Sequence, residues 1–199
     1  MKKLLITFTL VFVSLGAFSQ KIKVISGSID FLKNEKSIMT VFTYEDMQVG
    51  SMREADYIKE KVEKNNEKEA GKGDKWLESW IQDRTRRFEP KFIELYNEYI
   101  NKKNGPVIGG ESNYIMMVNT HFSEPGFNVG IVRKNASVSL TCKFINKEIG
   151  EEVANIAVTN SSANSFWGTD FDTGYRLQES YAKAGRELAK FFIKQLNLK

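Results

Sequence analysis

Hydrophobic and polar positions follow a β-strand pattern through much of the second half of the chain. The segments "NYIMMVNTHF" (113–122), "NASVSLTCKFIN" (135–146) and "EEVANIAVTN" (151–160) are separated by short polar turns, and the middle one alternates with nearly strict period two. Strands joined by such short connections pair antiparallel. The pattern therefore predicts three antiparallel strands, with one face of the middle strand toward water.

The first third of the chain combines a β-rich segment with a helical one. Residues 21–45 are rich in β-branched and aromatic residues, and "KIKVIS", "SIDFL" and "SIMTVFTYE" predict two or three strands. Residues 52–65 space their apolar side chains at helical intervals among charges, which predicts a surface helix. Residues 64–75 are charged, contain two glycines and lack periodicity, so we expect an exposed loop there.

Two longer segments carry the period of an α-helix. The first begins at Asp74, a good N-cap, and ends before Gly105. Pro90 interrupts it, which predicts two helices or one kinked helix. Its aromatic stripe is typical of a packing face and consists of Trp76, Trp80, Phe88, Phe92, Tyr96 and Tyr99. The second segment, 174–196, has an apolar stripe with steps of mostly three and four, which predicts a helix docked on the sheet.

These elements predict an α/β fold of the α+β kind in two layers. We expect a single domain with a mostly antiparallel sheet of about five strands, covered by three to four helices. No linker long enough to divide two domains interrupts the pattern.

The N-terminus has the three parts of a secretory signal peptide. Two lysines precede an apolar run over residues 4–15, and small residues follow at Ala17 and Ser19. We expect cleavage before Gln20, which leaves 20–199 as a single domain that is periplasmic or secreted. The apolar run is too short to span a bilayer comfortably, so we expect no transmembrane segment once the leader is removed.

Charge argues against nucleic acid as a partner. Removal of the signal peptide, residues 1–19, lowers the formal net charge from +4 to +2. Nucleic-acid binding needs basic residues concentrated on one face. The nearest basic cluster, Arg84 with Arg86 and Arg87, lies among acidic residues in a helical segment, which is typical of a solvated surface.

A single cysteine and a single histidine restrict the possible chemistry. Cys142 lies on the apolar face of a predicted strand, which favours a buried, unreactive thiol. His121 is the only histidine, so zinc sites that need several His or Cys ligands are excluded. The segment "GPVIGGES" lacks both the lysine of a phosphate-binding loop and the full glycine spacing of a dinucleotide site. We expect no cofactor.

The segment "FWGTDFDTGYRLQES" (166–180) contains the triplet Asp172-Thr173-Gly174, around which aspartic proteases build their active site. Such a protease needs two carboxylates that share one proton, each on a loop that follows a strand. Here the triplet leads into a helix and has no second copy, so Asp172 or Thr173 as helix cap explains it better. The spacing of Asp170, Asp172 and Gly174 also starts like a calcium loop but lacks its later acidic ligands. We predict no metal site and no catalytic residue here.

The second half of the chain resembles a group of bacterial envelope proteins. The order of elements carries the likeness over about residues 112–197: the strands "NYIMMVNTHF" and "NASVSLTCKFINKEIGEEVANIAV", then the closing helix "YRLQESYAKAGRELAKFFIKQL". The group includes the curli-secretion lipoprotein, the penicillin-binding-protein activator lipoproteins and the N-terminal domain of the Tol-Pal β-propeller protein. The resemblance implies an envelope accessory or assembly factor without catalysis. This chain lacks the lipid-bearing cysteine usual in that group, and its segment 75–102 has no counterpart there.

We favour an exported envelope accessory or binding protein that is not an enzyme. Its partner would be an envelope protein or another envelope component. The candidate contact surface is the aromatic segment before the last helix, formed by Phe166, Trp167, Asp170, Phe171, Asp172 and Tyr175. The alternative for the same aromatic side chains is a lid folded back on the core.

Two other function classes stay open. An exported hydrolase would use the carboxylates of Asp170, Asp172 and Glu124 with His121 in a deep pocket. A carrier of a small apolar ligand would need a cavity lined by the aromatic stripe from Trp76 onward. The sequence leaves the oligomeric state open.

Overall fold

Strands and helices both contribute to the structure, a computed structural model that describes residues 20–129, 132–162 and 172–199. The strands in these residues are β1 (Lys21–Gly27), β2 (Ser37–Thr43), β3 (Gln48–Val49), β4 (Met52–Arg53), β5 (Val107–Ile108), β6 (Tyr114–Glu124), β7 (Phe127–Val129), β8 (Val132–Lys134), β9 (Ser137–Asn146) and β10 (Glu152–Ser161). The α-helices are α1 (Glu54–Lys68), α2 (Lys72–Asp83), α3 (Glu89–Asn101) and α4 (Thr173–Leu196).

Eight of these strands form one sheet with the order β1-β10-β9-β6-β2-β5, and β3 joins β4 to β6. The long pairings are antiparallel, whereas β2 pairs parallel with both β5 and β6, and β3 pairs parallel with β6. β7 and β8 form a separate two-stranded sheet. The expected fold class, a single α+β domain, is confirmed, but the expected number of about five strands is too low. β3, β4 and β5 are two residues long, too short to leave a readable alternation.

Alternation along β9 separates the two faces of the sheet. Its inward-facing side chains are buried: Val138, Leu140, Cys142 and Phe144. α3 and α4 pack on this inner face, where Phe192 of α4 contacts the ring of Phe144 and Phe92 of α3 contacts that of Phe42. The core lies between one face of the sheet and these two helices, as a two-layer fold requires.

Of the two or three strands expected over 21–45, two form, because "SIDFL" enters a short 3-10 helix over Asp30–Asn34. Ser28 Oγ accepts a hydrogen bond from the backbone N–H of Asp30 at 3.1 Å. The Asp30 carboxylate in turn lies 2.6 Å from Lys33 Nζ. Local bonds of this kind compete with extended structure, and the turn also buries Leu32.

The expected loop over 64–75 is also wrong, because α1 and α2 form a tight helical hairpin there. Only residues 69–71 connect them, with Gly71 in the left-handed region at φ 80°. Asn66 Oδ1 accepts the N–H of Gly73 at 2.7 Å, and a Cβ at Gly73 would lie 2.4 Å from the carbonyl oxygen of Val62. Gly73 therefore permits a close helix contact that periodicity does not show. Asp74 lies inside the first turn of α2 rather than at its N-cap.

The helical segment around Pro90 is interrupted but not broken. A π-helical turn, Arg84–Phe88, connects α2 to α3, and Pro90, which has no N–H to donate, follows this turn as the second residue of α3. This agrees with the expected two helices or kinked helix. The aromatic stripe packs as expected: its buried members are Trp80, Phe88, Phe92 and Tyr96.

Small residues let α4 approach α3 closely. The side chains of α4 that face the core or α3 include Leu177, Tyr181, Ala184, Leu188 and Phe192, all buried. A Cβ at Gly185 would lie 2.2 Å from the backbone carbonyl oxygen of Phe92. α4 ends at Asn197, which caps the helix in the left-handed conformation at φ 54°.

We expect Gly185→Ala to destabilise the domain, although alanine is the better helix former by about 1 kcal/mol. Overpacking against the Phe92 carbonyl costs about 1–3 kcal/mol. After the gain in helix propensity is subtracted, a net loss of up to about 2 kcal/mol corresponds to a fall in Tm of up to roughly 8 °C for a domain of this size. Thermal unfolding followed by circular dichroism measures the change. Gln195→Ala on the exposed face of α4 is the control and should change stability by less than about 0.5 kcal/mol. A rise in Tm for Gly185→Ala would contradict the close contact.

Candidate functional site

The candidate contact surface is described only in part. Four of its six residues lie outside the described residues, and their contact role stays a prediction: Phe166, Trp167, Asp170 and Phe171. Asp172 and Tyr175 are described and lie at the start of α4. Tyr175 is half-buried, and its hydroxyl is near enough to Lys91 of α3 to contribute to the raised pKa of that amine, whose main cause is a hydrogen bond to Glu94.

Asp172 joins the start of α4 to the π-helical turn. Its Oδ1 accepts the N–H of Gly174 at 2.8 Å, and its Oδ2 accepts a hydrogen bond from Arg87 Nη1 at 2.6 Å. Arg87 Nε also lies 3.0 Å from Asp83 Oδ1, so one guanidinium binds two carboxylates. A Cβ at Gly174 would lie 2.1 Å from Asp83 Oδ2, so a larger residue there would displace the Asp83 carboxylate. The helix-cap interpretation of Asp172 is confirmed.

The pKa values of the two carboxylates in this cluster are shifted in opposite directions. Burial alone would raise the pKa of Asp172, but the hydrogen bonds from Arg87 and from the backbone N–H groups of Gly174 and Tyr175 outweigh it, and the pKa is lowered. Burial raises the pKa of Asp83 in spite of its contact with Arg87. A protease pair shares one proton between its carboxylates, whereas here a guanidinium compensates both charges.

The other residues expected for a hydrolase are held in different contacts. Glu124 Oε2 accepts a hydrogen bond from Lys134 Nζ at 2.6 Å, and its Oε1 accepts the N–H of Gly126 at 3.0 Å. His121 is half-buried on β6, and burial lowers the pKa of its imidazole. Its Nδ1 is buried and has no hydrogen-bond partner within the described ranges. Glu124 and Asp172 are thus each bound by a cation and a backbone amide.

A polar network beneath the π-helical turn was not predicted from the sequence. Glu54 Oε1 accepts hydrogen bonds from Trp80 Nε1 at 2.6 Å and from Arg84 Nη2 at 2.5 Å. The guanidinium of Arg84 stacks on the ring of Tyr44, with Cζ 4.2 Å from the centroid. Tyr44 donates to Glu89 Oε1 at 3.1 Å, and burial raises the pKa values of both groups. The network fastens α1 and α2 to the end of β2.

A second unpredicted feature is the two-stranded sheet of β7 and β8, which we call the ribbon. Its base is fixed by the buried Arg176 of α4, whose Nε and Nη2 donate to the carbonyl oxygens of Pro125 and Gly126 at 3.1 and 3.2 Å. Gly126 is left-handed at φ 66°, and a Cβ there would lie 2.4 Å from the carbonyl oxygen of Lys134. Arg176 and the close approach at Gly126 thus hold the start of the ribbon.

The outer face of the sheet, opposite α3 and α4, carries an apolar patch. The strand register places Met39 of β2, Ile115 of β6 and Ile145 of β9 side by side in one row across this face. In the next row, Val41 of β2 lies beside Met117 of β6. Met39 and Val41 are each 41 % exposed, and the other three are half-buried. We call these five residues the outer-face patch. Because a parallel pair such as β2 and β6 is normally covered on both faces, this exposure is unusual.

Charged or polar side chains dominate the walls of three clefts on the described surface. Two of them, of about 720 and 510 Å³, lie along α4 and share Ser162 and Lys183 in their walls. The third, of about 680 Å³, is bordered by Met39 of the outer-face patch and by the loop around Gly110. The aromatic stripe does not line any of these three clefts, because it is packed in the core or against it.

None of the helices within the described ranges is both long and apolar enough to cross a membrane. In the same residues, no group of three or more His, Cys, Asp or Glu side chains is placed to hold a metal ion.

Comparison with known proteins gives only distant structural likenesses. No family model and no curated protein matches the chain. A PelC dodecamer from Paraburkholderia phytofirmans has a TM-score of 0.40 at 10% identity, covering 83% of this chain and 96% of that one. A dodecamer of a PelC variant from the same organism has a TM-score of 0.36 at 8% identity, covering 84% and 98%. Protein XCC0632 from Xanthomonas campestris, of the family DUF330, has a TM-score of 0.36 at 10% identity, covering 85% and 90%. Likenesses of this size do not establish a shared function, and the resemblance to the curli-secretion group stays a prediction.

Asp172→Asn tests the pairing with Arg87, because asparagine is an equally good helix cap but carries no charge. The exposed ion pair should contribute at most about 1 kcal/mol at pH 7. Because folding lowers the pKa of Asp172, this contribution is present above the ordinary value of 3.8 and is lost as pH falls through the folded-state pKa. Urea unfolding from pH 7 to pH 3 should therefore show the difference from wild type shrinking below about pH 4. A difference that grows on acidification would contradict the assignment.

The Cys142 thiol should be inert in the folded protein. It is buried, and burial raises its pKa to about 12, so almost no thiolate is present near neutral pH. We expect no reaction with a disulfide reagent at pH 8 and one thiol titrated after unfolding in guanidinium chloride. Rapid labelling without denaturant would show that β9 opens readily.

Proposed function

We propose that this protein is an exported envelope accessory protein that acts by binding another envelope component, without catalysis. The outer-face patch is the observation that carries the proposal. Five apolar side chains lie side by side on a face of the sheet where neighbouring outward positions carry Asn119 of β6 and Thr141 and Lys143 of β9. Exposed apolar area grouped in this way is typical of a binding surface.

Two of the patch residues are methionines, Met39 and Met117. Methionine side chains are unbranched and flexible, so they adapt to a partner surface at low cost. Lys143 follows Val41 and Met117 in the second row, and its Nζ lies 3.4 Å from Glu152 Oε2. The patch therefore has an apolar centre with a charged rim on the β10 side, the arrangement found in protein interfaces.

The described candidates for catalysis support the same proposal. Asp172 and Glu124 are each bound by a cation and a backbone amide, and Cys142 is buried. A hydrolase would instead need a base and a carboxylate converging on one pocket. The aromatic segment 166–171 stays a second, sequence-based candidate for the contact surface.

The proposal is tested by capturing partners of the exported protein from envelope extract of its source, with Met39→Thr/Val41→Thr as the variant. Threonine keeps the preference for strand, and both sites are exposed, so folding should be preserved. Ile25→Thr/Ile149→Thr is the matched control, because these apolar residues are 52 % and 58 % exposed elsewhere on the surface. A Trp167→Ala/Phe171→Ala variant tests the aromatic segment separately.

We expect one envelope component to be captured by the wild type and by the control, and to be reduced about tenfold or more for the patch variant. Loss only in the aromatic-segment variant would move the contact surface to residues 166–171. Equal capture by all four proteins, or none by any, would contradict a binding function for both surfaces.

A further inference from the structure

We infer that the open edge of β2, residues 39–43, binds an extended segment of a partner protein as an added β-strand. This inference rests on the proposed function and deepens it, because Met39 and Val41 also belong to the outer-face patch. It names the chemistry of the partner: the bound segment is a short strand with apolar side chains and free backbone N–H and C=O groups.

The backbone of β2 is paired on one side only over most of its length. β6 pairs with residues 39–43, whereas β5, on the other side, pairs only with the first two residues of β2. The carbonyl oxygen of Ile38 accepts the N–H of Gly109 at 3.0 Å, so even-numbered residues of β2 direct their backbone groups toward β5. Thr40 and Phe42 therefore point their N–H and C=O groups to this side, where no strand in the described part of the chain pairs with them.

The two outermost strands of the sheet, by contrast, are protected. At β5, Asn97 of α3 accepts the N–H of Ile108 at 2.7 Å and donates to its carbonyl oxygen at 2.8 Å. The other outermost strand, β1, carries the exposed Lys21 and Lys23, and a bulge interrupts its pairing with β10. Lysines, bulges and covering groups protect strand edges from further pairing. The open stretch of β2 has neither charge, proline nor bulge, since its sequence is "MTVFT".

A strand added at this edge would meet apolar groups on both faces. On the outer face, its side chains would lie beside Met39 and Val41. On the inner face, α3 runs below the edge, because Glu89 bonds to the residue after β2 and Asn97 bonds to β5. Between them, Ile93 is half-buried against the core. In strand addition, backbone hydrogen bonds provide affinity and alternate side chains provide specificity, so the bound segment should be apolar on both faces.

A second copy of this chain does not fit the open edge with its own β2. In an antiparallel pairing centred on Val41, the β5 of the second copy would overlap with residues 44–45 of the first. These residues are held beside β6, where the N–H of Glu45 donates to Asn119 Oδ1 at 2.9 Å. A single extended segment brings no neighbouring strand with it and avoids this overlap.

Titration of the purified exported protein with two matched synthetic peptides tests the inference. One is a short peptide in which valine alternates with threonine between terminal lysines. The other has the same side chains, but its central backbone nitrogens are methylated, which prevents strand pairing.

The protein variants are Thr40→Pro, which removes an N–H at the open edge, and Thr40→Val, the matched control that keeps it. Thr40 alternates with Met39 and Val41, so its side chain is not part of the outer-face patch. Its hydroxyl is buried without a hydrogen-bond partner among the described residues, so valine should be tolerated. Proline is accepted in a strand where its nitrogen faces an open edge. Circular dichroism establishes that each variant is folded.

We expect wild type and Thr40→Val to bind the unmethylated peptide at least about tenfold more tightly than the methylated one, and Thr40→Pro to lose this preference. Hydrogen exchange gives a second readout that needs no variant. In the free protein the N–H groups of Thr40 and Phe42 should exchange faster than those of Val41 and Thr43, and the unmethylated peptide should slow them.

Equal affinity for the two peptides, no binding of either by the wild type, or unchanged exchange at Thr40 and Phe42 would overturn the inference. The capture experiment judges the proposed function separately. An envelope component lost by Met39→Thr/Val41→Thr but retained by Thr40→Pro would overturn strand addition and leave the outer-face patch as the binding surface. Dimerisation of the wild type that Thr40→Pro abolishes would assign the edge to a second copy and overturn the inference too.

Discussion

The close contact between α4 and α3 is the constraint on which the rest of the structure depends. At Gly185 the two helices are so near that a single Cβ would collide with the backbone of Phe92. This proximity lets both helices reach the inner face of the sheet together, where Phe92 meets Phe42 and Phe192 meets Phe144. A wider separation would leave a gap over the centre of the sheet, and packed interiors tolerate few such gaps.

Arginines then determine how the peripheral segments are oriented. Arg84 binds α1 to the end of β2, Arg87 binds the start of α4 to the π-helical turn, and Arg176 holds the base of the ribbon. Each guanidinium has several donors in a fixed plane, so one side chain can satisfy groups from two or three segments. Asp172, one of the carboxylates considered for catalysis, is therefore engaged in joining parts of the fold.

The two exposed surfaces follow from this construction. Helices cover the inner face of the sheet, which leaves Met39 and Val41 accessible on the outer face. The buried Arg176 holds the backbone at the base of the ribbon, on which Phe127 and Val132 are exposed.

The sequence by itself determined the elements whose signal is local and periodic. β6, β9, β10 and α4 were predicted almost to their ends, and so was the capping role of Asp172, because alternation, helical steps and cap chemistry depend on neighbours in the chain. The 3-10 helix at Asp30 and the hairpin closed at Gly73 rest on side-chain hydrogen bonds within one stretch of chain, which periodicity does not show. Tertiary structure decided the short strands and the parallel pairing of β2 with β6. It also brought Glu54, Arg84 and Tyr44 together. These features depend on contacts between residues far apart in the chain, and no local pattern records which distant backbone or guanidinium will approach.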